Sequence, residues 1–248
     1  MLGIIGGSGF YSAGYAENVR HLEMVSEYSD VAVPIELIES EKPFAFLARH
    51  GKDHHIPPHE INFRANIDAL RQAGVTEIVA INAVGGITEG TSPGAIIIPD
   101  QLIDYTWGRQ STFCGQSKRF VKHVDFSFPF DRALSDRLIS AVNAINDQSG
   151  AARPVMTAGV YGVTQGPRLE TAAEIQKMRR DGCDVVGMTA MPEAVLAREA
   201  DITYGLIALS VNWAAGILPC EVTMEEIEAV LADGHQFLRR VLSTIIAA

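Results

Sequence analysis

The chain has 248 residues, a length that suits one large α/β domain with a sizeable core. Apolar residues make up 47% and charged residues 20%, which is ordinary for a globular protein, and the formal net charge is −10. This acidic balance argues against a general nucleic-acid surface or an anionic-membrane surface. A small anionic substrate remains compatible with it, provided that basic groups converge locally.

Cysteine usage and the N-terminus bear on the compartment. Cys114, Cys183 and Cys220 are far apart, odd in number and form no CxxC pair, so we expect reduced thiols and a cytoplasmic protein. The opening "MLGIIGGSGF" lacks the basic region of a signal peptide. No apolar run reaches the ~18 residues of a membrane span, so no membrane partner is expected.

Seven apolar runs predict buried strands. Most are apolar throughout, as expected for strands that are covered on both faces. They are residues 2–6, 44–49, 77–84, 95–100, 156–164, 184–188 and 204–211.

Helical spacing or capping patterns lie between these runs, at 63–74, 131–145, 171–182, 192–200 and 223–245. Thr171 with Glu174, and Thr223 with Glu226, form capping-box patterns at two of the helix starts. Strands that alternate with helices predict one mostly parallel sheet with helices on both faces. Ligands in such folds bind at the carboxyl ends of the strands.

The first strand ends in "IIGGSG", a turn in which Gly7 and Gly9 let the backbone expose its N–H groups and Ser8 adds a hydroxyl. The dinucleotide fingerprint G-x-G-x-x-G fails here, because its third glycine would fall on Ser12. The turn is therefore either an anion-binding loop or simply a turn.

The next strand ends in Arg49 and His50, where a guanidinium suits a phosphate but also suits a surface salt bridge. His54, His55 and His59 follow closely, so the four histidines from His50 to His59 raise a metal site as an alternative. That alternative is weaker, because the spacing contains no HExxH and two prolines interrupt the segment. These three histidines are left without a role.

Four further strand or loop ends are polar. Asn82 and Ala83 end one strand, and Thr189 precedes a helix N-terminus that attracts anions but that it could merely cap. Glu170 precedes a helix cap, and Asn212 ends an apolar strand. Together with Ser8, Arg49 and His50, the set suits a phosphate plus a hydrogen-bonding heterocycle.

Ordered motifs now match a known family. The segments "IIGGSGF", "ARHG", "NAVGGI", "TQGPRLETAAEI", "DVVGMTAMPEAVLARE" and "LSVNWAAG" resemble the family of purine nucleoside and methylthioadenosine phosphorylases, in its trimeric branch. The resemblance implies a single α/β domain over 1–248, built on a twisted, mixed and mostly parallel sheet flanked by helices. It also implies a homotrimer with active sites at subunit interfaces, and inorganic phosphate as co-substrate with no metal or other cofactor.

The resemblance also assigns residues by motif. It implies a phosphate site of Ser8, Arg49, His50, Asn82, Ala83 and Thr189, with Met188 against the ribose. Glu170 and Asn212 would face the purine, beside Trp213 and Ala214. In residues 121–130, His123 and Phe126 would reach a neighbouring subunit's site. Catalysis would fall to Asn212, Glu170 and His50.

Two departures from the family pattern concern the substrate. Adenine-selective members carry D-x-D after the last strand, where this chain has Asn212, Trp213 and Ala214, so a 6-oxopurine is expected. Near the start of the last helix, 6-oxopurine enzymes place a histidine for the 5′-hydroxyl. This chain has Met224 and Ile227 there, which could receive a methylthio group or simply pack in the core.

The expected reaction is phosphorolysis of S-methyl-5′-thioinosine to hypoxanthine and 5-methylthioribose 1-phosphate. The alternatives are a general inosine/guanosine phosphorylase, a methylthioadenosine phosphorylase, a hydrolase that uses water and a nucleotide-binding regulatory domain.

Overall fold

The structure, a computed structural model, describes residues 1–7, 18–115, 121–150, 152–219 and 223–248. The strands are β1 (Leu2–Gly6), β2 (Val19–Met24), β3 (Val33–Ile38), β4 (Phe44–Ala48), β5 (Glu77–Gly86), β6 (Ile96–Ile97), β7 (Gln101–Asp104), β8 (Val155–Met156), β9 (Val160–Val163), β10 (Val185–Gly187) and β11 (Thr203–Trp213). The helices are α1 (Phe63–Gln72), α2 (Arg132–Asp147), α3 (Ala172–Asp181), α4 (Ala190–Glu199) and α5 (Met224–Ala247).

All of these strands join one mixed sheet, with the main order β2-β3-β4-β1-β5-β10-β9-β7. The centre is parallel: β1 pairs with β4 and β5, and β11 pairs with β5 along its whole length. Antiparallel pairs lie at β2–β3, β3–β4, β5–β10 and β6–β11. The carboxyl ends of β1, β4, β5 and β11 therefore meet at one edge.

Helices cover both faces of this sheet. Ile78 and Val79 are neighbours on β5 that point to opposite faces, and both are completely buried. Ile78 packs in a core with α1 and α4, while Val79 packs in a second core with α2 and α5. The continuous apolar runs of the sequence are thus explained by a sheet that is covered on both sides.

Some predicted strands are wrong in extent. Residues 95–100 form only the two-residue β6, and residues 156–164 divide into β8 and β9. β2, β3 and β7 were not predicted. No apolar run marks β2, because its residues "VRHLEM" are mostly exposed and include three charged or ionisable side chains.

The helix signals fared better. The Thr171/Glu174 capping box is present at the start of α3, and Gly182 ends that helix with a φ of 96°. α4 starts at Ala190, but Met191 within it is extended with ψ 138°, the conformation that a residue before proline prefers, so the regular helix runs from Pro192, the predicted start. Within the described residues, no helix is long and apolar enough to cross a membrane.

Candidate active site

A cavity of about 440 Å³ opens at the edge where β1, β4, β5 and β11 end. This is where a sheet of this kind binds ligands. Most of the residues that the sequence singles out contribute to its lining: Arg49, His50, Asn82, Ala83, Glu170, Met188, Thr189, Asn212, Ala214, Met224 and Ile227.

Three predicted residues lie outside the lining of this cavity, and the position of a fourth is not described. Ser8 lies outside the described residues. The side chain of Trp213 is outside the lining, and only its carbonyl oxygen takes part, by accepting a hydrogen bond from Asn212. His123 is exposed and Phe126 packs half-buried against the core. The contact of these last two with a neighbouring subunit's site stays a prediction.

Arg49 is buried, with 1% of its surface exposed, and most of its guanidinium faces the protein. Nε donates to Oε2 of Glu193 and Nη2 to Oε1, both at 2.7 Å. Nη1 donates to the carbonyl oxygen of Ile81 at 3.0 Å, and Nη2 also donates to Asn82. Four of the five N–H groups are therefore used, and one on Nη1 remains for a ligand. The sequence left a phosphate ligand and a surface salt bridge open for Arg49, and the salt bridge that forms is buried rather than at the surface.

The partner of Arg49 is equally buried. Glu193 is 1% exposed, and its Oε1 also accepts a hydrogen bond from the hydroxyl of Tyr204 at 2.7 Å. Burial alone would lower the pKa of Arg49, but the adjacent Glu193 carboxylate outweighs burial and raises that pKa. Arg49 and Glu193 thus form an ion pair shielded from water.

Asn82 connects this ion pair to the rest of the site. Its Oδ1 accepts from Arg49 Nη2 at 3.1 Å, and its Nδ2 donates to Thr189 Oγ1 at 2.9 Å and to Tyr161 Oη at 3.2 Å. Burial raises the pKa of Tyr161 to about 12, so the phenol is neutral at pH 7. The amide of Asn82 is saturated, and it positions other donors rather than offering a free one.

Thr189 is the residue before α4, yet its side chain makes no capping hydrogen bond. Its Oγ1 accepts from Asn82 instead, and its hydroxyl hydrogen has no acceptor among the described residues. Because Thr189 lines the cavity, that hydrogen is free to donate to an anion there. Of the two interpretations of Thr189 from sequence, the structure disfavours the simple cap.

His50 has a defined tautomer. Its Nδ1 lies 2.8 Å from the carbonyl oxygen of Ile56, and since a carbonyl can only accept, Nδ1 carries the hydrogen. Burial, and then the charge of Arg49, lower the His50 pKa to about 4, so the ring is neutral at pH 7. Nε2 is then an acceptor, not the oxyanion donor that was expected. The backbone N–H of His50 donates to no described acceptor and is available to an anion.

The two residues predicted to face the purine each keep free hydrogen-bonding groups. Glu170 Oε1 accepts from the hydroxyl of Thr164 at 2.6 Å, which fixes the carboxylate and leaves Oε2 for a ligand. Asn212 donates one N–H to the carbonyl of Trp213 at 2.7 Å and retains the other N–H and Oδ1. A register shift between Ser210 and Asn212 lets the consecutive residues Val211 and Asn212 both line the cavity.

An apolar end completes the cavity. Met224, the first residue of α5, is 63% exposed, whereas Ile227 is 8% exposed. Both line the cavity, so Met224 is not explained by core packing. Ile56 and Pro57 also line the cavity, as do the two residues that precede them, His54 and His55.

Metal binding has no support in the described residues, which contain no group of three or more His, Cys, Asp or Glu arranged to hold an ion. His54 and His55 line the cavity, and the rings of His54 and His50 lie 4.6 Å apart. His59 is outside the lining, with Nε2 3.6 Å from Glu60.

Sequence reasoning missed several residues that shape the site. Glu193 looked like a helix-start charge, and nothing in the sequence distinguishes Tyr204 or Thr164 from their neighbours. Arg109 was also missed: its guanidinium donates to the carbonyl oxygens of Met188 at 2.8 Å and Gln165 at 2.9 Å. It thereby connects the two loops that carry Met188 and Glu170.

An anion-sized polar corner joined to a cleft with a carboxylate, an amide and an apolar end, all at one edge of this mixed sheet, defines a nucleoside phosphorylase. The chain belongs to the Phosphorylase superfamily, whose family model matches residues 1–247. It is therefore a pentosyltransferase of nucleosides, as its motifs predicted.

Relatives support this placement. A probable S-methyl-5′-thioinosine phosphorylase of Xylella fastidiosa is 45% identical, over 98% of this chain and 97% of its own. A 6-oxopurine nucleoside phosphorylase of Pyrococcus furiosus is 40% identical, over 98% of this chain and 91% of its own. The structure of methylthioadenosine phosphorylase from Schistosoma mansoni with adenine matches at a TM-score of 0.91 and 31% identity, over 99% of this chain and 90% of that one.

Proposed function

We propose that this enzyme cleaves S-methyl-5′-thioinosine with inorganic phosphate, giving hypoxanthine and 5-methylthioribose 1-phosphate. The observation that carries the proposal is a combination within one cavity: Glu170 and Asn212 at the base end, and Met224 and Ile227 at the sugar end. The first pair suits a 6-oxopurine, and the second suits an apolar 5′ substituent.

The base preference rests on hydrogen-bond matching. The free Oε2 of Glu170 accepts the N1–H of a 6-oxopurine, and Asn212 donates its remaining N–H to O6 or N7. Adenine has no N1–H, so Glu170 would lack a donor, a mismatch that costs about 1–3 kcal/mol. Relatives named as acting on methylthioinosine or on 6-oxopurine nucleosides are consistent with this choice.

The sugar preference rests on the polarity of the 5′ end. The region 223–231 presents Met224 and Ile227 to the cavity and contains no histidine to meet a 5′-hydroxyl. A methylthio group buries apolar surface against these side chains, which stabilises binding by about 25 cal/mol for each Å² removed from water. Neither Met224 nor Ile227 offers a hydrogen-bond partner to a 5′-hydroxyl.

The chemistry follows from the geometry. Thr189, the free N–H of Arg49 and the backbone N–H of His50 hold phosphate beneath C1′. The C1′–N9 bond breaks, its electron pair goes to the purine, and a phosphate oxygen forms the new bond to C1′. Asn212 stabilises the negative charge that develops on the departing base by donating a hydrogen bond to N7, while Glu170 keeps the base oriented by accepting from N1–H.

The proposal also covers the co-substrate, the compartment and the oligomeric state of the enzyme. Phosphate is the co-substrate, and binding and orientation come from the chain's own residues without another cofactor. We also propose a cytoplasmic homotrimer in which residues 121–130 cover a neighbouring cavity. This segment exposes two large apolar side chains, Val121 (75%) and Phe128 (72%), which such a contact would remove from water.

The test is base release from a panel of methylthioinosine, inosine, guanosine and methylthioadenosine, with and without phosphate. We expect phosphate-dependent release, with kcat/KM highest for methylthioinosine. Equal values for inosine would establish the general inosine/guanosine enzyme, and adenine release would establish a methylthioadenosine phosphorylase. Release without phosphate would indicate a hydrolase, and no phosphate consumption with any nucleoside would favour a nucleotide-binding regulatory domain.

A further inference from the structure

The anion corner of the cavity is the part lined by Arg49, His50, Asn82 and Thr189. It contains less net positive charge than the presence of an arginine suggests. Arg49 is the only arginine or lysine among the described residues that line it. Its charge is paired at 2.7 Å, through two nitrogens, with a buried carboxylate that no role in the proposed chemistry accounts for. The remaining donors that the structure shows at this corner are neutral: the Thr189 hydroxyl and the His50 backbone N–H.

We propose that Glu193 is a positioning residue that keeps the charge of bound phosphate largely uncompensated until the transition state forms. The inference rests on the proposed phosphorolysis, and it assigns to that reaction a residue that does not touch the substrate. Glu193 acts through Arg49, by pairing with the Nε–Nη2 edge of the guanidinium and neutralising its charge.

The physical reason is differential binding. In the ground state the ribose is neutral, so a phosphate dianion among neutral donors is held only moderately. As C1′–N9 breaks, the electron pair leaves with the purine and C1′ becomes cationic, directly above the phosphate. An uncompensated dianion attracts that cation more strongly than a neutralised one, so the interaction is gained mainly in the transition state and raises kcat.

Tyr204 supports the same arrangement from the other side. Its hydroxyl donates to Glu193 Oε1 at 2.7 Å, and Tyr204 is 3% exposed. The ion pair, the tyrosine and Asn82 form a continuous hydrogen-bonded chain that ends at Thr189. The geometry of the pair is thus fixed before any ligand arrives.

The decisive experiment is steady-state kinetics of Glu193→Gln with phosphate and methylthioinosine both varied. Removing the carboxylate charge while keeping its shape exposes the charge of Arg49 to phosphate. We expect the KM for phosphate to fall about fivefold or more while kcat falls about tenfold or more. A residue with a merely structural role would lower kcat and raise that KM, and a raised or unchanged phosphate KM would overturn the proposal.

Two controls separate charge from shape. Glu193→Asp keeps the charge but is one methylene shorter, so its phosphate KM should not fall below that of the wild type; a fall like that of the Gln variant would contradict the charge argument. Glu41→Gln removes the same charge from an exposed loop position and should leave both parameters within about twofold.

Folding can be checked in the same series. Glu193→Gln leaves the buried Arg49 without its partner, so the variant is purified and melted with and without inorganic phosphate. We expect phosphate to raise its Tm more than it raises that of the wild type, and an equal or smaller rise would oppose the proposal. If the Gln variant is not recovered folded, Tyr204→Phe serves instead. It strengthens the hold of Glu193 on Arg49, so the phosphate KM should rise, and a fall would overturn the idea.

Failure of the inference is distinguishable from failure of the proposed function. Wild-type enzyme that releases no base with phosphate would remove the function. Wild-type enzyme that does so, combined with a Glu193→Gln variant whose phosphate KM rises, would remove only the role of Glu193.

Discussion

The two ends of the cavity are built differently. At the anion end, Arg49, Asn82, Thr189 and Glu193 are all buried, and they are joined by hydrogen bonds of 2.7–3.1 Å. At the nucleoside end, Glu170 and Asn212 are each fixed by one hydrogen bond, and Met224 is 63% exposed. The first end is a closed, buried network that joins strand ends to the start of α4, whereas the second combines a loop residue, the end of β11 and the start of α5.

The difference follows from what each end has to do. Phosphate is the same in every turnover of every nucleoside, so its site gains from donors that are fixed before binding. Base and 5′ substituent differ among substrates, and residues on loops change without disturbing the core. We therefore expect changes at the anion end to affect stability and turnover together, and changes at the nucleoside end to affect selectivity or turnover alone.

The largest effect is expected for Arg49→Met. It leaves the Glu193 carboxylate buried without its counter-ion, which should destabilise the protein by about 3–5 kcal/mol. Urea unfolding followed by circular dichroism measures this. Phosphate-dependent activity should fall as well, because the free N–H on Nη1 is lost.

A matched double variant tests the reason for that effect. Arg49→Met combined with Glu193→Met removes both charges and fills a similar volume, so most of the lost stability should return. Activity should not return with it. If the double variant is as unstable as the single one, the loss does not arise from an unpaired carboxylate.

Asn212→Ala is expected to have the next largest effect, and it concerns the nucleoside end. Loss of one preorganised donor to a leaving group costs about 10²- to 10³-fold in kcat. The KM for phosphate should stay within about twofold, and the Tm should change little, since Asn212 is bonded only to its neighbour's carbonyl among the described residues. Unchanged turnover would exclude Asn212 from the departure of the base.

The same contrast separates what sequence could predict from what it could not. The residues at strand ends were identified, because apolar runs mark the strands and parallel strands end together. The partner of Arg49 was not, since Glu193 follows it by 144 positions and looks like an ordinary first-turn acid. Likewise the strand shift that turns both Val211 and Asn212 to the cavity depends on pairing with β5, which no local pattern reveals. Contacts between residues that are distant in sequence were therefore missed, whereas residues at the ends of apolar runs were found.

Protonation of His50 at low pH is expected to have an effect of intermediate size on the free energy of unfolding. Its folded pKa is about 4 and its ordinary value 6.5, so the unfolded chain binds a proton first as the pH falls. Stability from this group is fully present above about pH 7 and is lost between 6.5 and 4, by about 2–3 kcal/mol at 1.36 kcal/mol per pKa unit. Urea unfolding at pH 7 and pH 4.5 measures the loss.

The control for that measurement is His50→Asn, whose amide can still donate to the carbonyl of Ile56 but cannot titrate. Other groups titrate in both proteins, so the difference between the two pH-dependent losses isolates His50. The variant should lose about 2–3 kcal/mol less than the wild type on acidification. Equal losses would show that His50 is not held neutral in the folded protein.

The smallest effect is expected at the apolar end, from Met224→Gln. Because Met224 is largely exposed, the fold should tolerate the change within about 0.5 kcal/mol, whereas the preference for methylthioinosine over inosine, as a ratio of kcat/KM values, should fall about three- to tenfold. Leu218→Gln is the matched control, since Leu218 is exposed and lies outside the lining. If both variants keep the wild-type ratio, the 5′ group is recognised elsewhere, and Ile227 is the next residue to change. A loss of selectivity at Met224 with no loss of stability would establish that this end of the cavity is tuned independently of the anion network.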